Sequence, residues 1–299
     1  MIDLGPENDP SLSWSELQAA IAARDKAQEL KIINVSQLAP HKFEDSVVFI
    51  AVDVESYERN HNLITEIGIA TLDTADIKQM PPGDNGKNWQ SKIRARHIRV
   101  KEHANYCNSE FVNGCADKFE FGSSEFAELS DVKKIIADCF RPPYSAFEGT
   151  KQSPERIQNL DKRNIILVGH DPHIDIRYLQ KLGYDPSHLS NLLEVVDTAT
   201  LDKVWKKQNQ QRSLGSILYD LNMVSWHLHN AGNDAVYTLW AMMGVAIHTA
   251  NLRATEGLDA STEIMRYEVR IDGNNDDLSE FEDSDDSDRP RKVSKNTGW

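Results

Sequence analysis

Ser46-Val47-Val48-Phe49-Ile50-Ala51-Val52-Asp53-Val54-Glu55 joins an apolar run, rich in β-branched residues, to two acids. The run at 46–52 has the length and composition of a β-strand rather than a helix. Strand alternation then places Asp53 and Glu55 on one face and Val54 on the other. Two carboxylates side by side repel each other. A divalent cation that prefers hard oxygen ligands, magnesium or manganese, relieves that repulsion. Taken alone, the pair reads more plainly as a solvated strand end.

Outward from this strand, residues 64–72 and 94–101 read as two further strands, and three in succession with turns between them predict an antiparallel meander. The loop at 73–91 holds the breakers Pro81-Pro82-Gly83-Asp84-Asn85-Gly86. Residues 102–124 lack periodicity and read as an irregular insertion. Helical spacing follows at 124–140, then a loop to Pro154, a strand at 164–169, a helix at 173–182 and a strand at 193–196. Helices at 199–208, 213–221 and 231–248 complete an α/β layered domain over 46–252. Residues 1–45 form an N-terminal helical appendage, with helical spacing at 12–30 behind Ser11, and residues 253–271 form a C-terminal extension. Residues 272–299 are acidic and serine-rich, with too few apolar side chains to offset the entropy of ordering, and read as a disordered tail.

Of the 299 residues 39% are hydrophobic and 27% charged, enough to bury a core and too many to need a disulfide framework. Three cysteines, Cys107, Cys115 and Cys139, form no CxxC pair, which points to a reducing compartment, cytoplasmic and/or nuclear. Asp3, Glu7 and Asp9 follow Met1 where a secretory signal would be basic and then apolar. The apolar stretch 235–252 is interrupted by Thr238, His248 and Thr249 and reads as a buried helix, so no membrane partner is expected. The basic run Arg289-Pro290-Arg291-Lys292 has the composition of a short nuclear-import address. The net charge is −14. A polynucleotide partner therefore requires a local basic strip or bound cations.

Two more sites carry acids where α/β domains gather function. Asp175 lies in the first turn of the helix after the strand at 164–169, at that strand's carboxyl end. By itself it is also a helix N-terminal acid stabilised by the macrodipole. Asp171, ahead of Pro172, reads as the cap of that helix. His229-Asn230-Ala231-Gly232-Asn233-Asp234 is a polar turn that lets an imidazole suited to proton transfer converge with a carboxylate suited to a metal. A capping histidine is its plainer reading.

Together, Asp53-x-Glu55, the downstream Ile64-Thr65-Glu66-Ile67-Gly68, Gly169-His170 leading to Asp175, and His229-x4-Asp234 resemble the three-motif signature of DEDDh 3′-to-5′ exonucleases of the ribonuclease H-like fold. The resemblance covers about residues 46–250. It implies a mixed sheet, three antiparallel strands then parallel ones, with helices on both faces. It also implies phosphodiester hydrolysis with two Mg2+ or Mn2+ ions, releasing 5′-mononucleotides from single-stranded RNA or DNA. By position, Asp53, Glu55 and Asp234 would hold the metals, Asp175 would contribute directly or through water, and His229 would be the general base. The chain departs from the pattern in the longer, polar flank Ser56-Tyr57-Glu58-Arg59-Asn60-His61, in Asp171 where the family usually has Asn, and in the insertion at 102–124. These traits are similar to a fungal subgroup.

For nucleic-acid contact the candidates are Lys203, Lys206, Lys207 and Arg212. A second set, Arg94, Arg96, Arg99 and Lys101, lies on a strand whose charge predicts a solvated or edge element. Tyr57 and Trp226 are candidates for base stacking, although residues of their type more often serve in the core. The competing reading is a catalytically silent ribonuclease H-like module that binds nucleic acid or protein; retention of all five motif residues favours the enzyme. A third makes the core a scaffold whose business is done by the N-terminal helix and the acidic tail, through a protein partner.

Overall fold

The central strand β1, Val47–Tyr57, runs past its expected end because β2, Asn60–Asp73, pairs antiparallel with it from Val48↔Asp73 to Tyr57↔Asn60. The polar segment after Glu55 is thereby the tip of a hairpin. β3, Arg94–Val100, adds antiparallel to β2, and β4, Glu125–Ala127, adds parallel to β3. On the other side β5, Asn164–Gly169, and β6, Leu192–Asp197, run parallel to β1, so the order is β4-β3-β2-β1-β5-β6. The helices are the single turn α1, Lys87–Gln90, then α2, Leu129–Cys139, α3, Pro172–Lys181, α4, Thr198–Trp205, α5, Leu214–Asp220, and α6, Ala231–Glu256. The structure is a computed structural model and describes residues 47–145 and 163–256, with side chains to residue 250. The expected helix at 12–30, most of the extension at 253–271 and the acidic tail with its basic run lie outside the described residues.

Strand alternation sorts β1 into two layers. Val48, Ile50, Val52 and Val54 pack with Val132 and Ile136 of α2 and with Ile176 and Leu179 of α3. Val47, Phe49 and Ala51 pack with Ala235, Leu239 and Met242 of α6 on the opposite face. Helices cover both faces, as expected. Asp53 and Glu55 continue the odd-numbered series, which points them toward the α6 side. The other flank of α6 packs Tyr237, Ala241 and Val245 against Leu214, Ile217 and Leu218 of α5. A helix covered on two sides is apolar nearly all round, which accounts for residues 235–252. Among the described residues no helix is long and apolar enough to cross a membrane.

Two expectations are corrected. Helical spacing begins at residue 124, yet Glu125–Ala127 pair with Ile98–Val100 and α2 starts only at Leu129. Tertiary pairing outweighs local propensity over so short a segment. β4 covers β3 along Ile98–Val100 only, but the arginines of β3 are half-buried and engaged within the chain rather than solvated. Arg96 forks onto Glu125 through Nε–Oε1 at 2.8 Å and Nη2–Oε2 at 2.7 Å. Arg94 bonds Asp76 at 2.8 Å, and the Arg99 guanidinium sits 5.0 Å from the Phe126 ring centre.

Candidate active site

Asp53 pairs across the sheet with Gly68, and Glu55 with Glu66. Directly opposed residues share a face, so Gly68 also lies on the α6 side. A Cβ there would sit 1.7 Å from the carbonyl oxygen of Ala231 and 2.7 Å from the nitrogen of Gly232. The missing side chain is therefore the reason the first turn of α6 can rest on the sheet. Gly232 answers it, because a Cβ there would fall 2.7 Å from both His97 Cβ and Phe119 Cδ2. This close approach brings Asp234, in the first turn of α6, to the β1 acids. Ligand atoms of Glu55, His229 and Asp234 all lie within 4.8 Å of one another.

His229 adopts a left-handed backbone, φ 63°, and its N–H donates to Asp234 Oδ2 at 2.8 Å. One carboxylate oxygen thus closes the turn that the five-residue spacing spans. Buried Asn230 and Asn233 brace it. Asn230 Nδ2 donates to Cys115 O at 3.0 Å, while Asn233 Nδ2 donates to Lys118 O at 2.8 Å and to His227 O at 3.0 Å. In the sequence these asparagines show only as part of a polar turn; their alternation with small residues ahead of an apolar helix is the signal that marks them.

Asp175 enters from the opposite layer. β5 pairs with β1 only as far as Ala51↔Val168, so beyond that point β1 is open on this side. Buried Asp175 fills the gap, its Oδ1 accepting a hydrogen bond from the Val54 N–H at 2.9 Å. This carboxylate reaches a strand 121 residues away in the sequence. Asp171 occupies the cap position in a left-handed conformation, φ 61°, but makes no capping hydrogen bond; its side chain pairs with His173 instead. Asp171 is thus the cap of this helix by position, as expected, without a side-chain capping bond.

A fifth acid belongs to the cluster. Glu66 is buried, and its Oε2 lies 2.8 Å from Nε2 of the fully buried His97, whose Nδ1 lies 2.9 Å from Ser124 Oγ. Burial pushes the Asp53 carboxyl well above the usual carboxylate range, and the charges of Asp175, Asp234, Glu55 and Glu66 push it the same way. Burial likewise raises Asp175, against the Val54 N–H that lowers it. Asp53 Oδ2 is shielded from solvent and has no hydrogen-bond partner among the described residues. A buried acceptor lacking a donor, within a group of mutually repelling carboxylates, fits a hard divalent cation. Glu55, Glu66 and His229 also line a pocket of about 130 Å3, together with Tyr106, Asn108 and Asp117 of the insertion.

The expected basic strip divides. Arg212 bonds Asp202 at 2.7 Å and Asp220 at 2.8 Å, and Lys206 bonds Asp220 at 2.8 Å while lying 4.1 Å from the Trp205 ring centre. Lys203 is half-buried and Lys207 exposed. Because Asp202 is fully buried, Arg212→Ala leaves an uncompensated charge and is expected to lower unfolding stability by about 3 kcal/mol, read by denaturant titration. Trp226 is exposed, whereas Tyr57 packs against Tyr106 with ring centres 5.0 Å apart.

An antiparallel β1–β2–β3 meander continued by parallel β5 and β6, with helices on both faces, is the ribonuclease H-like fold. The chain belongs to the DEDDh family described as DNA polymerase III subunit epsilon-like, C-terminal domain, which matches residues 48–245. It is 28% identical over 241 residues to "Uncharacterized protein YDR514C" of Saccharomyces cerevisiae, covering 76% of this chain and 46% of that one. It is 31% identical over 200 residues to "Uncharacterized nucleolar protein C2C4.08" of Schizosaccharomyces pombe, covering 65% and 67%. The chain thus spans under half the length of the S. cerevisiae relative. Among solved structures it is similar to the nuclease domain of 3′hExo, a DEDDh family member bound to rAMP, with 13% identity, TM-score 0.40, and 72% and 94% of the two chains covered.

Proposed function

We propose that this protein is a Mg2+- or Mn2+-dependent 3′-to-5′ exonuclease acting on single-stranded RNA or DNA. The observation that carries this reading is the convergence of Glu55, His229 and Asp234 beside the shielded, unpartnered Oδ2 of Asp53. Asp53, Glu55 and Asp234 would hold two ions, with Asp175 contributing directly or through water. When bound, the ions supply Lewis-acid stabilisation of the phosphoryl charge and lower the pKa of the attacking water. They also supply the positive charge that an acidic chain lacks for a phosphate backbone.

His229 is the general base. Its imidazole takes the proton of the water that attacks phosphorus, and the bond to the 3′ oxygen of the preceding nucleotide breaks to release a 5′-mononucleotide. Asp234 keeps that imidazole in place through the His229 backbone N–H, a contact that side-chain truncation leaves intact. His229→Ala is accordingly expected to reduce turnover by about 10²- to 10⁴-fold while the metal-induced rise in Tm persists. An unchanged rate, or loss of the metal effect, would remove histidine from this role.

Lys203 and Lys207 are assigned to backbone contact, since Lys206 and Arg212 already serve the acids of α4 and α5. A nuclear location belongs to the same reading, supported by the printed name of the S. pombe relative. The acidic tail is assigned to a protein partner. The deciding experiment incubates the protein with 5′-labelled single-stranded RNA and DNA in magnesium, manganese or chelator. A metal-dependent ladder of shortened products is expected. Intact oligonucleotides with folded, metal-bound protein would favour the silent binding module.

A further inference from the structure

The polar flank of the first motif and the irregular insertion after β3 fit each other. Glu58, at the β1–β2 hairpin tip, turns its carboxylate onto four successive backbone amides of the insertion. Oε1 accepts from the Ser109 and Glu110 N–H groups at 3.1 and 3.0 Å, and Oε2 accepts from those of Phe111 and Val112 at 3.0 and 3.4 Å. Asn108 closes the clasp in the reverse sense. Its Oδ1 accepts from the Glu58 N–H at 2.9 Å, and its Nδ2 donates to Ser56 O at 2.8 Å. The far end of the insertion is tied to the histidine turn, where the Cys115 N–H donates to His229 O at 3.2 Å. At and around these anchors, Tyr106, Asn108, Gly114 and Asp117 line the same pocket as Glu55 and His229.

We propose that Glu58 is a positioning residue for the substrate pocket, holding the insertion in place as the pocket's outer wall. The inference rests on the exonuclease reading. Residues 104–124 contain no helix or strand, so no ladder satisfies the amides at 109–112 and a single carboxylate gathers them into an anion nest. Partial burial alone would raise the Glu58 carboxyl. The amides of Phe111, Ser109, Glu110 and Val112 outweigh it and hold the group below the usual carboxylate range. A wall that loses this anchor must be ordered again each time substrate binds, which weakens binding. The rate at saturation is spared, because the anchors at Cys115, Lys118 and Glu120 that support the His229 turn do not involve Glu58.

The test is Glu58→Gln in the full chain, which turns an amide NH2 toward donors that need an acceptor. The expected result is a rise in KM for a single-stranded oligonucleotide of about tenfold, with kcat within about twofold of wild type. Amide hydrogen exchange should quicken at 109–112 while β1 and β2 keep their protection. Asn108→Ala, which opens the other half of the clasp, should shift KM in the same direction. Arg59→Ala should leave KM unchanged, because its pair with Glu110 is exposed to solvent. Unchanged KM or unchanged protection at 109–112 in Glu58→Gln overturns the role, as does a fall in kcat at constant KM. A wild type inert on every oligonucleotide overturns the exonuclease reading itself, whereas wild-type cleavage with unaltered Glu58→Gln kinetics overturns this inference alone.

Discussion

Asp53→Asn is expected to hydrolyse single-stranded oligonucleotides about 10⁴-fold more slowly than wild type, and in chelator to unfold at a higher temperature. Both effects come from the same carboxylate. In the metal-free protein Asp53 is surrounded by Asp175, Asp234, Glu55 and Glu66, and its Oδ2 has neither solvent nor a donor. An isosteric amide removes one of the repelling charges and supplies two N–H donors to neighbours that are acceptors. For a domain of this size each kcal/mol recovered raises Tm by about 2–4 °C. Raised folded-state pKa values at Asp53 and Asp175 set the sign with pH. Their contribution to metal-free stability is fully present below the unfolded carboxylate pKa and is lost as pH rises through the folded values. Wild type should therefore lose stability over that interval in chelator, and Asp53→Asn should lose less. Thermal melts across pH, with and without magnesium, check the whole set. A variant that melts below wild type in chelator, or that still gains as much from magnesium, would remove Asp53 from the metal site.

The second large effect is expected at a residue with no chemistry of its own. Gly68→Ala places a methyl group 1.7 Å from Ala231 O and 2.1 Å from Ala231 C, both backbone atoms at the start of α6. No rotamer change relieves a contact with backbone, so the helix end must move away from the sheet or the strand must bend. Overpacking of this kind costs about 3 kcal/mol. The same displacement moves Asp234, and with it the turn that holds His229, away from Asp53 and Glu55. Misplacement on the order of 1 Å costs about 10²-fold in rate. Activity measured per folded molecule should thus fall even where the variant is well below its Tm. Wild-type Tm and turnover together would mean that the helix end accommodates the methyl group and that Gly68 does not set the spacing.

Much of the fold is legible because strand alternation is local. The alternation that sends Val48, Ile50 and Val52 to one layer and Phe49 and Ala51 to the other also places Asp53 and Glu55. The helices at 173–182, 199–208, 213–221 and 231–248 appear at or near their expected positions, and Asp197 and Ser213 cap α4 and α5. β4 was hidden because three residues cannot show a period, and its partner strand lies 27 residues earlier.

The sequence by itself determined the order of the motif acids, the shared face of Asp53 and Glu55, and the turn that carries His229 toward Asp234, since each depends on residues within a few positions of one another. Tertiary structure decided which charges remain available. Arg96 goes to Glu125, Arg212 to Asp202, Asp175 to the Val54 amide and Glu58 to the amides of the insertion, across separations from 10 to 121 residues. A charged side chain is taken up by whatever donor or acceptor lies within about 3 Å of it in the folded chain, and that neighbour is chosen by packing rather than by position in the sequence.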